Sequence, residues 1–321
     1  MSQSIPVLDL SDFTSGSQDQ RKQFVQDLGR AYEDIGFVAI KQHGLNDELQ
    51  KRLYGSVQAF FHLPSDSKLK YDGQSIAGQR GYTAPLREKA KDATTPDLKE
   101  FYHVGQELPD SNPLRQQASY PANIWPEEVP DFQHATLEAF TALEEAGRQM
   151  LRAIALFLEL DENYFDAKIE HGNSILRPLH YFPIENPDAL PPEAVRAAAH
   201  EDINLITLLM GASAEGLEVL RHDGSWLAVT AIPEAVVVNV GDMLQRLTNN
   251  RLRSTTHRVV NPPREKMGTS RFSIPFFLHP RSEVSLACLP SCVDASHPKA
   301  YPDATAGEYL TERLRELGLL V

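Results

Sequence analysis

Short β-rich segments recur at regular spacing through residues 174–278 and constrain the fold more than any other feature of this sequence. His222-Asp223-Gly224 and Gly241-Asp242 separate them in the manner of tight turns. Short, evenly spaced strands with turn residues between them indicate an antiparallel jelly roll or barrel. The predicted strands of this region are 174–182, 204–210, 217–221, 225–229, 235–240, 243–247, 256–260 and 271–278.

Helical spacing of apolar residues predicts helices around this β core. The predicted helices are 19–35, 46–62, a long one at 131–160 and a last one at 305–318. Residues 5–10 and 37–40 are predicted as strands, and 71–130 as irregular loops, which at this length are usually functional. The expected fold class is α+β, mainly β, with a jelly-roll core and flanking helices.

Two histidines and one aspartate within the β-rich region have the pattern of a metal site. In an extended strand residues i and i+2 point to the same side, so His200 and Asp202 can face one ion while Glu201 points away. His257 begins another predicted strand and can complete the set. Two imidazoles and one carboxylate form the facial triad of a mononuclear Fe(II) site, which leaves the remaining coordination positions open.

A cationic and a hydroxyl side chain share one face of the last predicted strand. Arg271 and Ser273 are two residues apart, so both can point toward the same ligand. A guanidinium binds a carboxylate through two parallel hydrogen bonds, and the serine hydroxyl can add a third donor. The pair therefore predicts a site for a carboxylate close to the predicted metal.

Motifs from residue 5 to residue 310 accompany this H-x-D, H and R-x-S order. They are Ile5-Pro6-Val7-Leu8-Asp9-Leu10, Gly36-Phe37-Val38, Gln42-His43-Gly44, Phe60-Phe61-His62-Leu63-Pro64, Lys68-Leu69-Lys70, Gly81-Tyr82, Leu98-Lys99-Glu100, Leu176-Arg177-Pro178-Leu179-His180-Tyr181 and Thr305-Ala306-Gly307-Glu308-Tyr309-Leu310. With these motifs the chain resembles the isopenicillin N synthase-like Fe(II)/2-oxoglutarate-dependent dioxygenases over nearly its whole length.

The resemblance implies a double-stranded β-helix core, a set of metal ligands and an oxidation reaction. His200, Asp202 and His257 would bind Fe(II), 2-oxoglutarate and O2 would be cosubstrates, and Arg271 and Ser273 would hold the distal carboxylate of 2-oxoglutarate. The expected reaction hydroxylates an unactivated C–H bond of a small molecule, with decarboxylation of 2-oxoglutarate to succinate and CO2. An aspartate at position 202 argues against a halogenase, which needs that coordination position for halide.

The same resemblance implies how the chain is divided. An N-terminal region with pocket-covering loops would span residues 1–130, a spine helix 131–170, the jelly-roll catalytic core 171–285, and a C-terminal extension with a helix 286–321. We expect these regions to form one compact structural unit.

The resemblance also suggests residues around the ligands. His180 is a candidate contact of the cosubstrate, and Tyr82, Arg87, Phe101 and Tyr102 are candidates for the substrate pocket. Plant-type members carry Asn-x-Tyr before the proline of this strand, and those side chains help to seat the oxo acid. Here the stretch reads His180-Tyr181-Phe182-Pro183, and the ring of Phe182 has no hydroxyl, so part of that contact is expected to be missing.

Other functions remain open on the sequence alone. In isopenicillin N synthase the R-x-S pair holds the substrate carboxylate, so an Fe(II) oxidase that does not use 2-oxoglutarate, closing a ring or desaturating, is an alternative. A zinc hydrolase could use the same three ligands, although it would not need Arg271. Gly211-Ala212-Ser213-Ala214-Glu215 resembles the nucleophile elbow of a serine hydrolase but lacks its last glycine. A non-enzymatic binding module is a further alternative.

Composition limits the partners of the chain. A formal net charge of −13 disfavours a nucleic-acid-binding surface, which needs clustered basic residues. No apolar run is long enough to predict a membrane span, and Met1-Ser2-Gln3-Ser4 lacks the features of a secretion signal, so a cytoplasmic location is expected. Cys288 and Cys292 are the only cysteines and are expected to be reduced thiols.

Overall fold

The computed structural model describes residues 4–73, 76, 78–87, 96–117, 120–191, 194–211, 215–230 and 232–316. Three parts of the predictions lie outside the described residues. They are Ser213 with both neighbours in the motif that resembles a nucleophile elbow, part of the predicted loop region 71–130, and the end of the predicted C-terminal helix beyond residue 316.

The strands within the described residues form two sheets. They are β1 (Val7–Asp9), β2 (Phe37–Lys41), β3 (Gly81–Thr83), β4 (Glu100–Gly105), β5 (Ile175–Leu176), β6 (Leu179–Tyr181), β7 (Ala197–His200), β8 (Ile206–Met210), β9 (Leu217–Leu220), β10 (Trp226–Ala228), β11 (Val236–Val240), β12 (His257–Val259) and β13 (Arg271–Leu278). The larger sheet has the order β1-β2-β11-β8-β13-β5-β4-β3, with β6 paired to β13 and β4, and the smaller sheet has the order β10-β9-β12-β7.

Helices flank the larger sheet. Those within the described residues are α1 (Leu10–Thr14), α2 (Gln18–Asp34), α3 (Asp47–Phe61), α4 (Ser65–Leu69), α5 (Phe132–Phe157), α6 (Asp166–Ile169), α7 (Asp242–Leu247) and α8 (Ala306–Glu316). A capping box between Ser17 and Gln20 starts α2. Gly36 ends it with φ +71, where a Cβ would lie 2.3 Å from the Arg253 carbonyl oxygen. No described helix is long and apolar enough to cross a membrane.

Apolar packing fills both sides of the larger sheet. On its outer side α2, α3 and α5 bury one continuous core against it. Gly147 lets α5 approach closely, because a Cβ there would lie 2.8 Å from Leu278 and 3.2 Å from Leu208. On its inner side two smaller clusters, one around Phe37 and Val219 and one around Tyr181, pack between the two sheets. This inner space is the interior of a jelly roll.

The predicted α+β fold with a jelly-roll core and flanking helices is confirmed. Helix makes up 35% of the structure and strand 19%, because the flanking helices are much longer than the strands of the core. The predicted strand 243–247 is wrong, since these residues belong to α7. Met243, Leu244 and Leu247 are buried, and the spacing of these three residues matches one face of a helix, a pattern that was too short to recognise between two strands.

The turn before α7 packs closely against the loop that carries Asp202. A Cβ on Gly241 would lie 2.2 Å from the Asn204 carbonyl oxygen and 2.8 Å from the Asn204 side-chain oxygen. We expect Gly241→Ala to lower the free energy of unfolding by about 1–3 kcal/mol, since main-chain atoms cannot move aside as a flexible side chain would. Chemical denaturation measures this loss.

Gly55→Ala is the matched control for this substitution. Gly55 lies within α3 with no atom inside 4 Å of its Cβ position, so alanine should stabilise the helix by about 0.5–1 kcal/mol. Equal stability of Gly241→Ala and the wild type would show that the Asn204 loop yields, contrary to the packing described above.

Candidate active site

His200, Asp202 and His257 come together between the two sheets. Their ligand atoms all lie within 4.8 Å of one another. The Oδ1 atom of Asp202 lies 3.9 Å from Nε2 of His200 and 3.8 Å from Nε2 of His257. Two atoms that bind one ion at about 2.1 Å each can be at most about 4.2 Å apart, so Asp202 can share one ion with either histidine at these two separations.

Main-chain carbonyl groups orient both imidazoles. Nδ1 of His200 lies 2.8 Å from the Ala198 oxygen, and Nδ1 of His257 lies 3.1 Å from the Thr255 oxygen. A carbonyl only accepts, so each Nδ1 carries the proton and each Nε2 presents a lone pair to the site. Burial, followed by the charge of His257, lowers the pKa of His200, which favours the neutral imidazole that a metal ion requires.

The third ligand, Asp202, is a buried carboxylate held from the larger sheet. Its Oδ2 accepts hydrogen bonds from Oγ1 of Thr207 at 2.6 Å and from Nδ2 of Asn239 at 2.8 Å. Burial opposes its ionisation, but the positive charge of the two histidines when protonated and these two donors outweigh burial, so the pKa of Asp202 lies below its ordinary value. Oδ1 remains directed at the histidines, and the set of donors fits Fe(II).

A buried ion pair supports the strand that carries His200. In the pairing of β7 with β12, His200 lies opposite His257 and Ala197 opposite Val259, and the register shifts between these two pairs. There the Ala198 amide donates to Oδ1 of Asp97 at 3.0 Å, and Lys99 binds the other oxygen of this carboxylate at 2.8 Å. Asp97 thus accepts the hydrogen bond of the Ala198 amide, which lies at the register shift. The carbonyl group of the same Ala198 orients His200. Sequence reasoning missed this pair, whose function depends on the register shift.

Arg271 and Ser273 face the interior, as expected from their spacing, and both are buried. Across the strand pair Arg271 lies opposite Tyr181, with its guanidinium carbon 4.9 Å from the centroid of the tyrosine ring. The phenol beside the predicted carboxylate site therefore belongs to Tyr181. The expectation that Phe182 leaves this site without a hydroxyl is wrong, because Phe182 instead packs in a separate cluster with Leu98.

The structure places His180 on the opposite face of β6 from Tyr181. Its Nδ1 lies 2.7 Å from a carboxylate oxygen of Glu100, its Nε2 lies 3.0 Å from the Ser270 hydroxyl, and its ring stacks on Phe272 at 4.7 Å. Adjacent strand residues point to opposite faces, so His180 cannot share the side of Arg271 and Ser273. His180 therefore lies on the other side of β6 from the predicted carboxylate site.

Of the four predicted pocket residues, the structure puts one in the interior. Phe101 packs there with Tyr181 in the cluster between the sheets. Tyr82 points to the helix side, where its hydroxyl donates to Glu100. Tyr102 lies on that side as well, bound to the Ile124 carbonyl oxygen, while the exposed Arg87 pairs with Asp72 at 2.8 Å. Tyr82, Arg87 and Tyr102 do not line the interior next to the metal ligands.

Arg177 was missed, yet it forms part of the interior wall. Its guanidinium carbon lies 4.7 Å from the ring centroid of Phe101 and 4.9 Å from that of Phe277. Its Nε donates to Nε2 of His103 at 2.6 Å. Phe277 lies across the ladder from Thr207, which binds Asp202, so this wall adjoins the metal site. The alternation of strand 271–278 could have indicated Phe277, since it shares a face with Arg271 and Ser273.

Comparison with known proteins agrees with this geometry. The family described as non-haem dioxygenase in morphine synthesis N-terminal matches residues 5–128, and the 2OG-Fe(II) oxygenase superfamily matches residues 172–280. A 2-oxoglutarate-Fe(II) type oxidoreductase of Emericella nidulans, hxnY, is 34% identical over 306 residues, which cover 94% of this chain and 86% of that protein. This chain belongs to the 2OG-Fe(II) oxygenase superfamily.

Solved structures of this superfamily match the whole fold. A 2OG-Fe(II) oxygenase family protein from Caulobacter crescentus has 42% identity and a TM-score of 0.87, covering 98% of this chain and 99% of its own. A Neurospora crassa protein crystallised in complex with alpha-KG and thymine has 30% identity and a TM-score of 0.85, covering 98% of this chain and 97% of its own.

Membership decides between the alternatives that the sequence left open. The protein is a non-haem Fe(II)/2-oxoglutarate-dependent oxygenase with Fe(II) and 2-oxoglutarate as cofactors. The zinc hydrolase, the serine hydrolase and the binding module are therefore set aside.

The hydrogen bonds to Asp202 allow a direct test of the metal site. Thr207→Val keeps the shape of the side chain and removes the 2.6 Å hydrogen bond to Oδ2. Partners that orient a metal ligand contribute strongly to affinity, so we expect Mn(II), used in place of Fe(II), to bind about 10–100-fold more weakly in calorimetry.

Thr136→Val in α5 is the control, because it also removes a buried hydroxyl that donates a hydrogen bond, at 2.7 Å to the Phe132 carbonyl oxygen, away from the three ligands. It should leave Mn(II) affinity unchanged. Equal affinity of Thr207→Val and the wild type would contradict an orienting role for Thr207.

Proposed function

We propose that this oxygenase hydroxylates an unactivated C–H bond of a small molecule. One oxygen atom of O2 enters the alcohol product and the other enters succinate, while 2-oxoglutarate loses CO2. The observation that carries the proposal is the convergence of His200, Asp202 and His257 in an interior that also contains the buried Arg271 and Ser273. The Neurospora crassa relative, which has the same fold, has been crystallised with the small molecule thymine.

The three ligands would hold Fe(II) and leave its remaining coordination positions for 2-oxoglutarate and O2. His200 and His257 present unprotonated Nε2 atoms, and the hydrogen bonds to Oδ2 of Asp202 keep its Oδ1 directed at the same point. Bound Fe(II) supplies O2 activation coupled to decarboxylation of the oxo acid. The protein itself contributes the orientation of the three ligands and the burial of Asp202 and His257.

Arg271, Ser273 and Tyr181 are proposed to bind the distal carboxylate of 2-oxoglutarate. Arg271 is only 1% exposed, so its hydrogen bonds to an incoming carboxylate form in an environment with little competing water. Ser273 shares its face of β13, and Tyr181 lies opposite on β6. The proposed set therefore contains Tyr181 in place of its neighbour His180.

The substrate is proposed to lie against the wall formed by Phe101, Arg177 and Phe277. Two aromatic faces and one guanidinium offer both apolar contact and a fixed donor of hydrogen bonds. His103 accepts from Nε of Arg177 and thereby restrains the guanidinium. Such a wall suits a compact molecule that combines an apolar C–H region with a polar acceptor.

An anaerobic titration tests the reaction class. Fe(II) followed by 2-oxoglutarate should produce a weak visible charge-transfer band, because the oxo acid chelates the ion. Asp202→Ala should abolish the band, since a carboxylate ligand is lost. Screening of small molecules by succinate release should then find substrates whose product gains one oxygen atom from ¹⁸O2. Bound iron without any band would remove 2-oxoglutarate from the proposal.

A substitution in the clamp tests the assignment of the cosubstrate carboxylate. Arg271→Gln keeps a polar side chain but removes the charge and the bidentate geometry, which together are worth about 1.5–3 kcal/mol. We expect the KM for 2-oxoglutarate to rise about 10–100-fold, because each loss of about 1.4 kcal/mol of binding free energy weakens binding ten-fold. Arg221→Gln, at the exposed hairpin between β9 and β10, is the control. An unchanged KM in Arg271→Gln would contradict the clamp.

A further inference from the structure

A second arginine is buried close to the clamp. Arg196 immediately precedes β7 and is 1% exposed, so it is as deeply buried as Arg271. The guanidinium carbons of the two arginines lie 6.0 Å and 4.9 Å from the same ring centroid, that of Tyr181. Two guanidinium groups thus share one aromatic neighbour inside the jelly roll.

Arg196 has few partners that offset its positive charge. Its Nη2 donates to the Thr269 carbonyl oxygen at 2.9 Å, and its buried Nε makes no hydrogen bond. Within the part of the chain that the structure describes, no carboxylate pairs with Arg196. A buried cation without a counter-charge is strongly unfavourable, and an anionic ligand would offset this cost.

The neighbouring arginine adds repulsion to this burial. Burial lowers the pKa of Arg196, and the positive charge of Arg271 lowers it further. A core that only needed to be filled would be more stable with an apolar side chain of similar size, as is often found for buried charges. The position therefore suggests a ligand that carries the missing negative charge.

We propose that Arg196 is a specificity-determining residue which, together with Arg271, selects an oxo acid with a second carboxylate. The inference rests on the proposed function of Arg271 as the clamp for the distal carboxylate. Arg271 would bind the carboxylate directly, while the field of Arg196 strengthens the attraction at a site of low dielectric. The pair would favour 2-oxoglutarate over oxo acids of the same length that end in a methyl group.

Binding to the Ni(II)-loaded enzyme separates this role from catalysis, because Ni(II) is not expected to turn over the oxo acid. Calorimetry would compare 2-oxoglutarate with 2-oxopentanoate, which has the same chain length and no distal carboxylate. Arg196→Gln replaces the charged guanidinium with a shorter, neutral amide. We expect it to bind 2-oxoglutarate about ten-fold more weakly and 2-oxopentanoate as the wild type does.

Two further variants distinguish charge from shape. Arg196→Lys keeps the positive charge and should retain most of the preference for 2-oxoglutarate. Arg152→Gln removes an arginine that pairs with Asp166 at 2.6 Å outside the interior, and should change neither affinity. The melting temperature of ligand-free Arg196→Gln should equal or exceed that of the wild type, because repulsion with Arg271 is removed.

The outcomes separate the two proposals. Loss of the preference in Arg271→Gln but not in Arg196→Gln would overturn the role of Arg196 and leave the clamp intact. An unchanged preference in both variants would overturn the clamp itself and the inference with it. A lower melting temperature of Arg196→Gln with unchanged affinities would show that Arg196 has only a structural role.

Discussion

The burial of the Asp202 carboxylate is the constraint on which this active site depends. Burial alone would favour its protonated form, and the structure opposes this with donors from Thr207 and Asn239 on one side and, on the other, with two histidines that attract the carboxylate when they are protonated. The donors lie on β8 and β11 of the larger sheet, whereas the histidines lie on β7 and β12 of the smaller sheet. The site therefore joins the two sheets, and a bound ion would stabilise their packing against each other as well as the loop between β7 and β8.

The sequence predicted those residues of the site whose direction follows from the alternation of side chains along a single strand. His200 and Asp202 converge, and Arg271 and Ser273 share a face, because short spacings determine which side chains lie together. His257 needed one further inference, that its strand pairs with the strand of His200, and the register of β12 against β7 places the two histidines opposite each other. The jelly roll likewise followed from the spacing of short strands and turns.

The remaining residues could not be predicted because their direction depends on pairing between distant strands. His180 and Tyr181 are neighbours in sequence, yet one enters a buried polar network with Glu100 and the other faces Arg271. The sequence alone does not indicate which of two adjacent residues points inward when both faces of a sheet are covered. Arg196 has no motif around it, and only its burial next to Arg271 reveals a connection to the site.

Burial on both faces of β13 links the packing of the core to the proposed carboxylate clamp. On the outer face, Phe272 stacks against His180, and Phe276 packs on Phe140 of α5. The inner face carries Arg271, Ser273 and Phe277. A shift of one residue would turn the guanidinium into the apolar layer below the helices and a phenyl ring into the clamp. In the proposed clamp, the position of Arg271 therefore depends on the aromatic residues of the outer face that fix this register.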